Sequence, residues 1–310
     1  MNREELNALS AQLGFDRLFA FPPMRTPRKA IHALNASVAD DARELMPNVK
    51  TVLFLIKTYR PYEADDHEAT LSAYYPASHA AYKAAYQFAE ELRKRGFQAV
   101  SNAQIAIKPF LEAVGAGTAG KNTLIALPGA GSRFHVQAVL TDAETETDEI
   151  IPPQEAVSCL NCSACVNACP VRAISQEGRV DISRCLRARG EGEVVSEEMR
   201  PLYQNRILGC EICQDVCPRN AGQEKTAMPR EIREALDLRK LLQGDMGLLS
   251  EWIGRNYARR TRIRMKAAMV AGNLRKAECL KELEELSQSG SEGEKEYAQW
   301  AVRQIKERDK

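Results

Sequence analysis

The sequence lacks long apolar runs, an excess of charge of either sign, and cysteine in its first half. Its longest apolar stretch, residues 51–56, has the length of a β-strand and is too short to cross a bilayer. The 310 residues carry 43 basic and 42 acidic side chains, so any nucleic-acid-binding surface must be a local patch. At about 100–200 residues per domain, this length predicts two or three domains.

The N-terminus also lacks the features of a secretion signal. Its first residues, Met-Asn-Arg-Glu-Glu, have neither a basic start nor an apolar stretch, which predicts a cytoplasmic protein. The cytoplasm keeps thiols reduced, so clustered cysteines there indicate metal ligation rather than disulfides.

The cysteines are concentrated in one segment, with eight of the nine between residues 159 and 217. The first group has the spacing C-x2-C-x2-C-x3-C-P of bacterial ferredoxins. It consists of Cys159, Cys162, Cys165 and Cys169, followed by Pro170. The second group consists of Cys210, Cys213 and Cys217, followed by Pro218, and Cys185 lies between the groups.

The spacing predicts two 4Fe–4S clusters. A C-x2-C-x2-C loop places three thiolates around one cluster, and the next helical turn carries the fourth thiolate to another cluster. We therefore assign cluster one to Cys159, Cys162, Cys165 and Cys217. Cluster two is assigned to Cys169, Cys185, Cys210 and Cys213. A zinc ribbon is the alternative, but it fits the x2, x2, x3 series and the two prolines poorly. Cys279 lies in a helical pattern and is expected to be a buried apolar residue.

The hydrophobic pattern predicts an α+β protein. Helices are expected at residues 3–14 and 74–95, and strands at 51–58, 97–100 and 134–140. The buried face of the long helix is expected to carry Tyr82, Ala85, Phe88, Ala89 and Leu92. Pro152-Pro153 marks a boundary, which gives domains at 1–152, 153–222 and 223–310. The last domain is expected to be all helical, with helices at 229–242, 246–256, 261–272, 275–287 and 292–307.

A glycine-rich segment, Gly115-Ala-Gly117-Thr-Ala-Gly120-Lys121-Asn122, lies between the two later strands. Three glycines in six residues either form a tight turn or let the backbone approach a cofactor closely. The spacing is not that of a Walker A motif, and the segment lies mid-domain, away from the usual position of a dinucleotide-binding fingerprint.

With this segment, the cysteine module and residues 204–220 (QNRILGCEICQDVCPRN), the sequence resembles the epoxyqueuosine reductases. These are cobalamin-dependent enzymes of queuosine biosynthesis in tRNA. The resemblance implies an oxidoreductase with a nitroreductase-like N-terminal domain that binds cobalamin and a bacterial ferredoxin-like module that passes electrons to the cobalt. It also implies a HEAT-like helical domain that contacts tRNA, and a low-potential electron donor of the ferredoxin or flavodoxin type. The implied cobalamin-binding residues are His79, Gly117, Gly120, Lys121, Asn122, Ile125, Ser132 and Val136.

The sequence departs from this family at the proton donor. The family has an aspartate where this chain has Ser101, and a serine has no useful acidity near neutral pH. Lys108 is either a new pocket residue or a solvated lysine, and Thr118 replaces a frequent aromatic residue. The chain is also short at its C-terminal end. We therefore expect a paralogue. The alternative is a corrinoid-binding or corrinoid-reducing redox protein that acts on a non-tRNA substrate or partner.

A basic run in the C-terminal third is the candidate RNA contact. It contains Arg255, Arg259, Arg260, Arg262 and Arg264, with no acidic residue among them. Such a run either neutralises phosphates of tRNA or is a solvated helical face.

Overall fold

The computed structural model describes residues 1–27, 38–63, 65–152, 157–192 and 194–307, so Pro153 of the expected boundary lies outside it. The described strands are β1 (Arg17–Phe21), β2 (Thr51–Thr58), β3 (Thr70–Leu71), β4 (Ala99–Val100), β5 (Thr118–Ala119), β6 (Ile125–Ala126), β7 (Phe134–Thr141) and β8 (Arg206–Leu208). The first helices are α1 (Arg3–Gln12), α2 (Tyr74–Lys94), α3 (Ile107–Ala113), α4 (Val157–Leu160), α5 (Ala164–Ala168), α6 (Leu186–Gly192) and α7 (Ile212–Asp215). The C-terminal helices are α8 (Arg230–Ala235), α9 (Leu238–Gln243), α10 (Gly247–Ile253), α11 (Arg260–Asn273), α12 (Leu280–Ser289) and α13 (Glu292–Lys306). Short 3-10 helices lie at Ala42–Glu44, Glu197–Tyr203, Pro218–Asn220 and Ala277–Cys279.

The N-terminal part is built on an antiparallel sheet of four strands in the order β1-β2-β7-β4, which we call the N-terminal sheet. Strand β2 is central, with Phe54 opposite Phe19 on one side and Ala138 on the other. All six residues from Thr51 to Ile56 are buried because both faces of the sheet are covered. The uninterrupted apolar run of this strand reflects that double burial.

The two faces of the N-terminal sheet pack against different helices. On one face, Leu53, Leu55 and Val139 pack with α1 and with Phe88 and Leu92 of α2. On the other face, Phe54 packs against Phe110 of α3, with ring centroids 5.0 Å apart in an edge-on arrangement. The result is a helix–sheet–helix arrangement with mixed α and β content, as the hydrophobic pattern predicted.

The buried face of α2 differs from the prediction at one residue. Tyr82 is 55% exposed, whereas Ala81 is fully buried in its place. Ala81, Ala85, Phe88 and Leu92 follow the helical spacing of three and four residues, and Tyr82 lies about 100° round the helix from Ala81. Tyr82, Ala85, Ala89 and Leu92 are also spaced by three and four residues, so the period of the helix does not distinguish Tyr82 from Ala81, and the position of the helix on the sheet decides which of them is buried.

A second core joins the cysteine module to the C-terminal helices. Leu186, Tyr203 and Ile207 of the module lie in one cluster of buried residues with Ile263 of α11 and Leu283 of α12. This shared core extends across residue 222, which is the expected boundary between the second and third domains. It also includes Tyr75 of α2. Strand β8 also pairs in parallel with β3, so the cysteine module is bonded directly to the N-terminal part of the chain.

The C-terminal helices follow the predicted order with two differences at their ends. The expected helix at 229–242 is divided into α8 and α9, because the Asp237 side chain accepts a hydrogen bond from Lys240 N and begins a new helix. The expected helix at 275–287 begins as a 3-10 turn before α12. Helices α11 and α13 approach closely at Gly272, where an added Cβ would lie 2.6 Å from the Trp300 ring. Across the described ranges, no helix combines the length and apolarity needed to cross a membrane.

Candidate functional site

The four thiols assigned to cluster one surround a single cavity. Its lining includes Cys159, Cys162, Cys165 and Cys217, together with Gly120 and Asn122 of the glycine-rich segment. The Cys165 thiol interacts electrostatically with each of the other three thiols. The short helices α4 and α5 present the first three cysteines, and Cys217 arrives from the chain after α7. The structure therefore brings these predicted ligands together.

The thiols assigned to cluster two form an adjacent group. Cys210 interacts electrostatically with Cys185 and Cys169, and Cys213 interacts with Cys210 and Cys185. The backbone N–H of Ala173 donates a hydrogen bond to Cys169 Sγ at 3.2 Å. Cys213 also interacts with Cys165 of the first group, so the two groups adjoin.

The chemistry of these thiols fits iron–sulfur clusters. Burial raises the pKa of Cys165, Cys210 and Cys213, that of Cys213 to about 12. The protein alone therefore favours neutral thiols, and the positive charge of iron is what makes them thiolates. Within the described ranges, no three His, Cys, Asp or Glu side chains form a group that could hold a single metal ion. Cys279 is 2% exposed in the shared core, as predicted.

The glycine-rich segment lies against the cluster-one loop. An added Cβ at Gly120 would lie 3.5 Å from Cys159 Sγ. The Lys121 ammonium donates hydrogen bonds to Cys162 O at 2.9 Å and Gln176 Oε1 at 3.3 Å. Asn122 is 8% exposed and Ile125 is buried in the core under the N-terminal sheet. This part of the predicted cobalamin segment thus contacts the cluster module directly.

Other residues predicted to bind cobalamin have contacts within the protein. The Ser132 N–H donates to Asn220 Oδ1 at 2.8 Å, which ties it to the cluster module. Gly117 packs against Ile125, and Val136 pairs with Ile56 across the sheet. His79 packs against Gly254 at the end of α10, and burial lowers the pKa of its imidazole. Their role in cobalamin binding stays a prediction.

One end of the N-terminal sheet is open. Strand β7 is buried over residues 138–141, whereas residues 134–137 are partly exposed. Strand β4 pairs only with Leu140 and Thr141, so residues 134–137 have a strand neighbour on the β2 side alone. We call the adjoining space the recess and define it by Tyr74, Lys108, His135 and Arg187. The Arg187 guanidinium stacks 4.1 Å from the centroid of the Tyr74 ring, and the rings of Tyr74 and His135 are 5.3 Å apart.

The recess has an unusual electrostatic character. Burial, and then the charge of Arg187, lowers the pKa of His135 to about 4, so the imidazole is neutral at physiological pH. Solvent reaches Lys108, but protein surrounds it closely enough that desolvation, followed by Arg187, lowers the pKa of its ammonium. Lys108 Nζ donates to Thr123 O at 3.3 Å. Ser101 directly follows β4 and is partly exposed.

The recess also borders cluster two. Glu211, which follows Cys210, interacts with Tyr59 and Ser72, and burial raises the pKa of both Glu211 and Tyr59. Arg187 is two residues beyond Cys185. Arg187, Tyr59 and Glu211 are not among the predicted site residues, because only the folded chain brings them to the recess. For Arg187 and Glu211, the sequence offered one indication of a role in the site, because each lies within two residues of a cysteine ligand.

The basic run is only partly available to a partner. Arg255, Arg259 and Arg260 are exposed, and Arg262 is partly exposed. Arg264 instead bonds within the fold, where its guanidinium donates to Leu242 O at 2.8 Å and to Glu294 at 3.1 Å.

Comparison with known families identifies the cysteine module. Residues 158–220 match the family described as a 4Fe-4S double cluster binding domain. The matched range contains all eight of the predicted cysteine ligands, and the expected pair of 4Fe–4S clusters is confirmed. The division of the ligands between the clusters stays a prediction.

Curated relatives agree in name. The chain is 37% identical over 141 residues to an epoxyqueuosine reductase of Aliivibrio fischeri, which covers 44% of this chain and 37% of that protein. It is 39% identical over 130 residues to the Escherichia coli K12 epoxyqueuosine reductase. The aligned residues cover 41% of this chain and 33% of that protein. The chain is a relative of the epoxyqueuosine reductases. The aligned part spans less than half of the length of these curated relatives.

Solved epoxyqueuosine reductases share the fold over nearly the whole chain. The Streptococcus thermophilus enzyme superposes with a TM-score of 0.78 at 16% identity, covering 98% of this chain and 90% of that one. An epoxyqueuosine reductase bound to an epoxyqueuosine-modified tRNA-Tyr stem loop superposes with a TM-score of 0.76 at 21% identity, with the same coverage. At such identities the similarity shows the fold alone.

Proposed function

We propose that this chain is a cobalamin-dependent iron–sulfur reductase in which electrons pass from cluster one to cluster two and on to cobalamin in the recess. The observation that carries this proposal is that two residues close in sequence to cluster-two cysteines reach the recess and its border. Arg187 and Glu211, each within two residues of a cluster-two cysteine, reach Tyr74 and Tyr59 at its border. The names of the curated relatives support an oxidoreductase.

Cobalamin, when bound, supplies a cobalt centre that stores and delivers electrons at low potential. The chain's own residues would position it and shield it from water. Phe134 and Val136 are partly buried apolar residues of the open part of β7, and Tyr74 stacks with Arg187 at the edge of the recess. The open end of β7 is the feature that a large planar cofactor fits, since residues 134–137 are partly exposed and lack a strand neighbour on the β4 side.

Proton delivery would fall to Lys108 rather than to Ser101. A general acid works best when its pKa lies near the working pH, and desolvation with Arg187 moves the pKa of Lys108 in that direction. The Ser101 hydroxyl cannot supply a proton in the same way. We therefore propose a paralogue in which the proton is held at Lys108 Nζ.

Electrons would enter at cluster one from a low-potential donor of the ferredoxin or flavodoxin type. Leu160, next to Cys159, is 61% exposed and Val216, next to Cys217, is 39% exposed. Exposed apolar residues beside two ligands suit a short-lived contact with a redox partner. We place the reaction in the cytoplasm, where such donors and reduced thiols occur together.

For the substrate, tRNA is our first candidate and the exposed arginines are its proposed contacts. They are Arg255, Arg259, Arg260 and the partly exposed Arg262. A crystallised epoxyqueuosine reductase of the same fold binds a tRNA stem loop. We also propose the finer divisions 1–152 (nitroreductase-like), 153–222 (ferredoxin-like) and 223–310 (HEAT-like), which rest on the resemblance of the sequence to the epoxyqueuosine reductases. A corrinoid-dependent redox protein with a non-tRNA partner is the second candidate, and Ser101 favours it.

The test begins with anaerobic protein, purified with and without added cobalamin. We expect iron–sulfur absorption in both samples and stoichiometric retention of cobalamin after gel filtration. The samples are then assayed with epoxyqueuosine-containing tRNA and a chemical reductant. Turnover supports the tRNA enzyme, and Lys108→Met should abolish it. Retained cobalamin without turnover supports the second candidate, and in that case Ser101→Asp is tested for gain of turnover, with Ser289→Asp as the control. Protein with full iron content that binds no cobalamin would refute both.

A further inference from the structure

Gln137 and His135 lie two positions apart on the open part of β7, so their side chains share one face of the strand. Both residues are partly exposed, and neither has a strand neighbour on the β4 side. Gln137 Nε2 lies 2.8 Å from His135 Nε2, which is the distance of a hydrogen bond. The ring of His135 also packs edge-on against that of Tyr74, with the centroids 5.3 Å apart. Two contacts therefore orient the imidazole in the recess.

The contact between these two nitrogens determines where the ring carries its proton. The amide nitrogen of Gln137 can only donate, so His135 Nε2 must accept and cannot itself hold a hydrogen. A neutral imidazole then carries its one proton on Nδ1. Burial, and then the charge of Arg187, lowers the pKa of His135, which agrees with a neutral ring.

The other ring nitrogen is available to a ligand. No hydrogen bond from the described residues reaches His135 Nδ1. This atom is also not one of the buried, unpartnered side-chain atoms in the same ranges, so it borders open space. The Nδ1–H group is thus an oriented, uncharged donor in the recess.

We propose that Gln137 is a positioning residue that holds His135 in the Nδ1–H form, and that His135 donates from Nδ1 to an amide carbonyl at the rim of the corrin ring. Cobalamin carries several such amide groups, and an uncharged donor suits an uncharged oxygen. A carboxylate or phosphate would instead favour the protonated ring, which the Gln137 donor and the nearby Arg187 both oppose. The inference rests on the proposed function, because it takes the recess to be the cobalamin site.

The protonation of the ring is measured first, without cobalamin. In the oxidised iron–sulfur protein labelled with ¹⁵N-histidine, long-range ¹H–¹⁵N spectra distinguish the two neutral forms, and His135→Phe identifies the signals of this ring. We expect Nδ1 protonated and Nε2 unprotonated in the wild type. Gln137→Leu removes the donor, so the ring should change mainly to the Nε2–H form that free neutral histidine prefers. A wild-type ring with its proton on Nε2, or unchanged signals in Gln137→Leu, would overturn the proposal.

The affinity for cobalamin is measured next, by equilibrium dialysis of variants with full iron content. Gln137→Leu and His135→Phe should each weaken binding about three- to tenfold, as expected for the loss of one hydrogen bond. His135→Asn places an amide N–H near the position of Nδ1 and should recover part of the affinity, whereas His135→Gln, whose amide extends toward the position of Nε2, should not. The control is Gln87→Leu, at an exposed position of α2.

The two measurements separate this inference from the proposed function. If the wild type binds cobalamin and both Gln137→Leu and His135→Phe bind it equally well, the contact with the corrin amide is wrong. If the wild type binds no cobalamin, the proposed function and that contact fail together, and the spectra still decide whether Gln137 sets the form of the ring.

Discussion

At the scale of single residues, Arg200 shows how this fold accommodates a buried cation. It is fully buried, and its guanidinium lies 4.0 Å from the centroid of the Tyr297 ring and 5.4 Å from that of Trp300. Its Nε donates to Val195 O at 3.1 Å, and its Nη2 pairs with Glu296. The side chain therefore ties the cysteine module to α13 through stacking and hydrogen bonding at once.

We predict that Arg200→Ala lowers the free energy of unfolding by about 3 kcal/mol, through lost stacking and an unpartnered Val195 carbonyl. The measurement is anaerobic thermal unfolding followed by circular dichroism. The control is Arg303→Ala, which removes an exposed pair with Glu197 and should cost about 0–1 kcal/mol. Equal effects of the two substitutions would contradict this account of Arg200.

Lys266 is a second buried cation, but without a hydrogen-bond partner among the described residues. It is 2% exposed, and its Nζ lies 4.5 Å from the centroid of the Tyr203 ring. Burial, then the charges of Arg262 and Arg200, lowers the pKa of Lys266 to about 8. Its unfolded pKa is about 10.4, so the unfolded chain binds more protons between these values. Above pH 10.4 Lys266 is neutral in both states, and its burial carries no cost from charge. The free energy of unfolding falls as the pH decreases from 10.4 through 8, where the folded protein takes up the proton.

We therefore predict that Lys266→Met stabilises the protein at pH 7 by up to about 3 kcal/mol, because the buried charge is removed. The gain should shrink as the pH rises from 8 to 10. Unfolding midpoints measured across that range test the prediction, with the exposed Lys281→Met as control. A destabilised Lys266→Met protein with full iron content would show that the cation contributes favourably.

At the scale of elements, α2 was predicted in extent but not in every contact. Its bounds agree with the prediction to within one residue, since helical periodicity and the Gly96 turn define them locally. Which of its tyrosines are buried depends on the sheet beneath. Likewise, β2 has the predicted bounds. The sequence of β7, in contrast, does not predict that its first four residues are partly exposed while its last four are buried.

The packing of α2 gives a direct test at this scale. Phe88 is fully buried on the N-terminal sheet, and Tyr86 is 53% exposed. We predict that Phe88→Ala lowers the free energy of unfolding by about 3–5 kcal/mol, because it removes buried apolar surface and leaves a cavity. Tyr86→Ala should change it by less than about 0.5 kcal/mol. Thermal unfolding of both variants checks the assignment of the two faces.

At the scale of the whole molecule, polar contacts join the N-terminal sheet region to the cysteine module. Asn220 Nδ2 donates to Gln214 O at 2.9 Å, and its Oδ1 accepts from Ser132 N. Arg133 pairs with Asp215, and Arg219 donates to Thr118 O at 3.0 Å. Gly131, with φ of +64°, leaves room for Asn220, since a Cβ there would overlap its Oδ1.

We predict that Asn220→Ala weakens this junction, because the Ser132 N–H loses its partner at a cost of roughly 1–3 kcal/mol. The Gln214 carbonyl also loses one of its two hydrogen bonds and keeps that from Cys217 N at 3.3 Å. Clusters should then be lost faster when the protein is exposed to an iron chelator. The rate of loss of iron–sulfur absorbance measures this, and the exposed Asn256→Ala is the control. Equal rates for Asn220→Ala and the wild type would show that cluster retention does not depend on the junction.

The sequence alone determined the ligand chemistry and the type of most elements, because thiolate spacing and hydrophobic period are local properties of a chain. Tertiary structure alone decided that the glycine-rich segment contacts the cluster-one loop, and that Arg187 and Glu211 reach the recess. It also decided that Arg264 pairs with Glu294 within the fold while Arg255, Arg259 and Arg260 remain exposed. These depend on contacts between residues 30 to more than 100 positions apart, which no local pattern encodes.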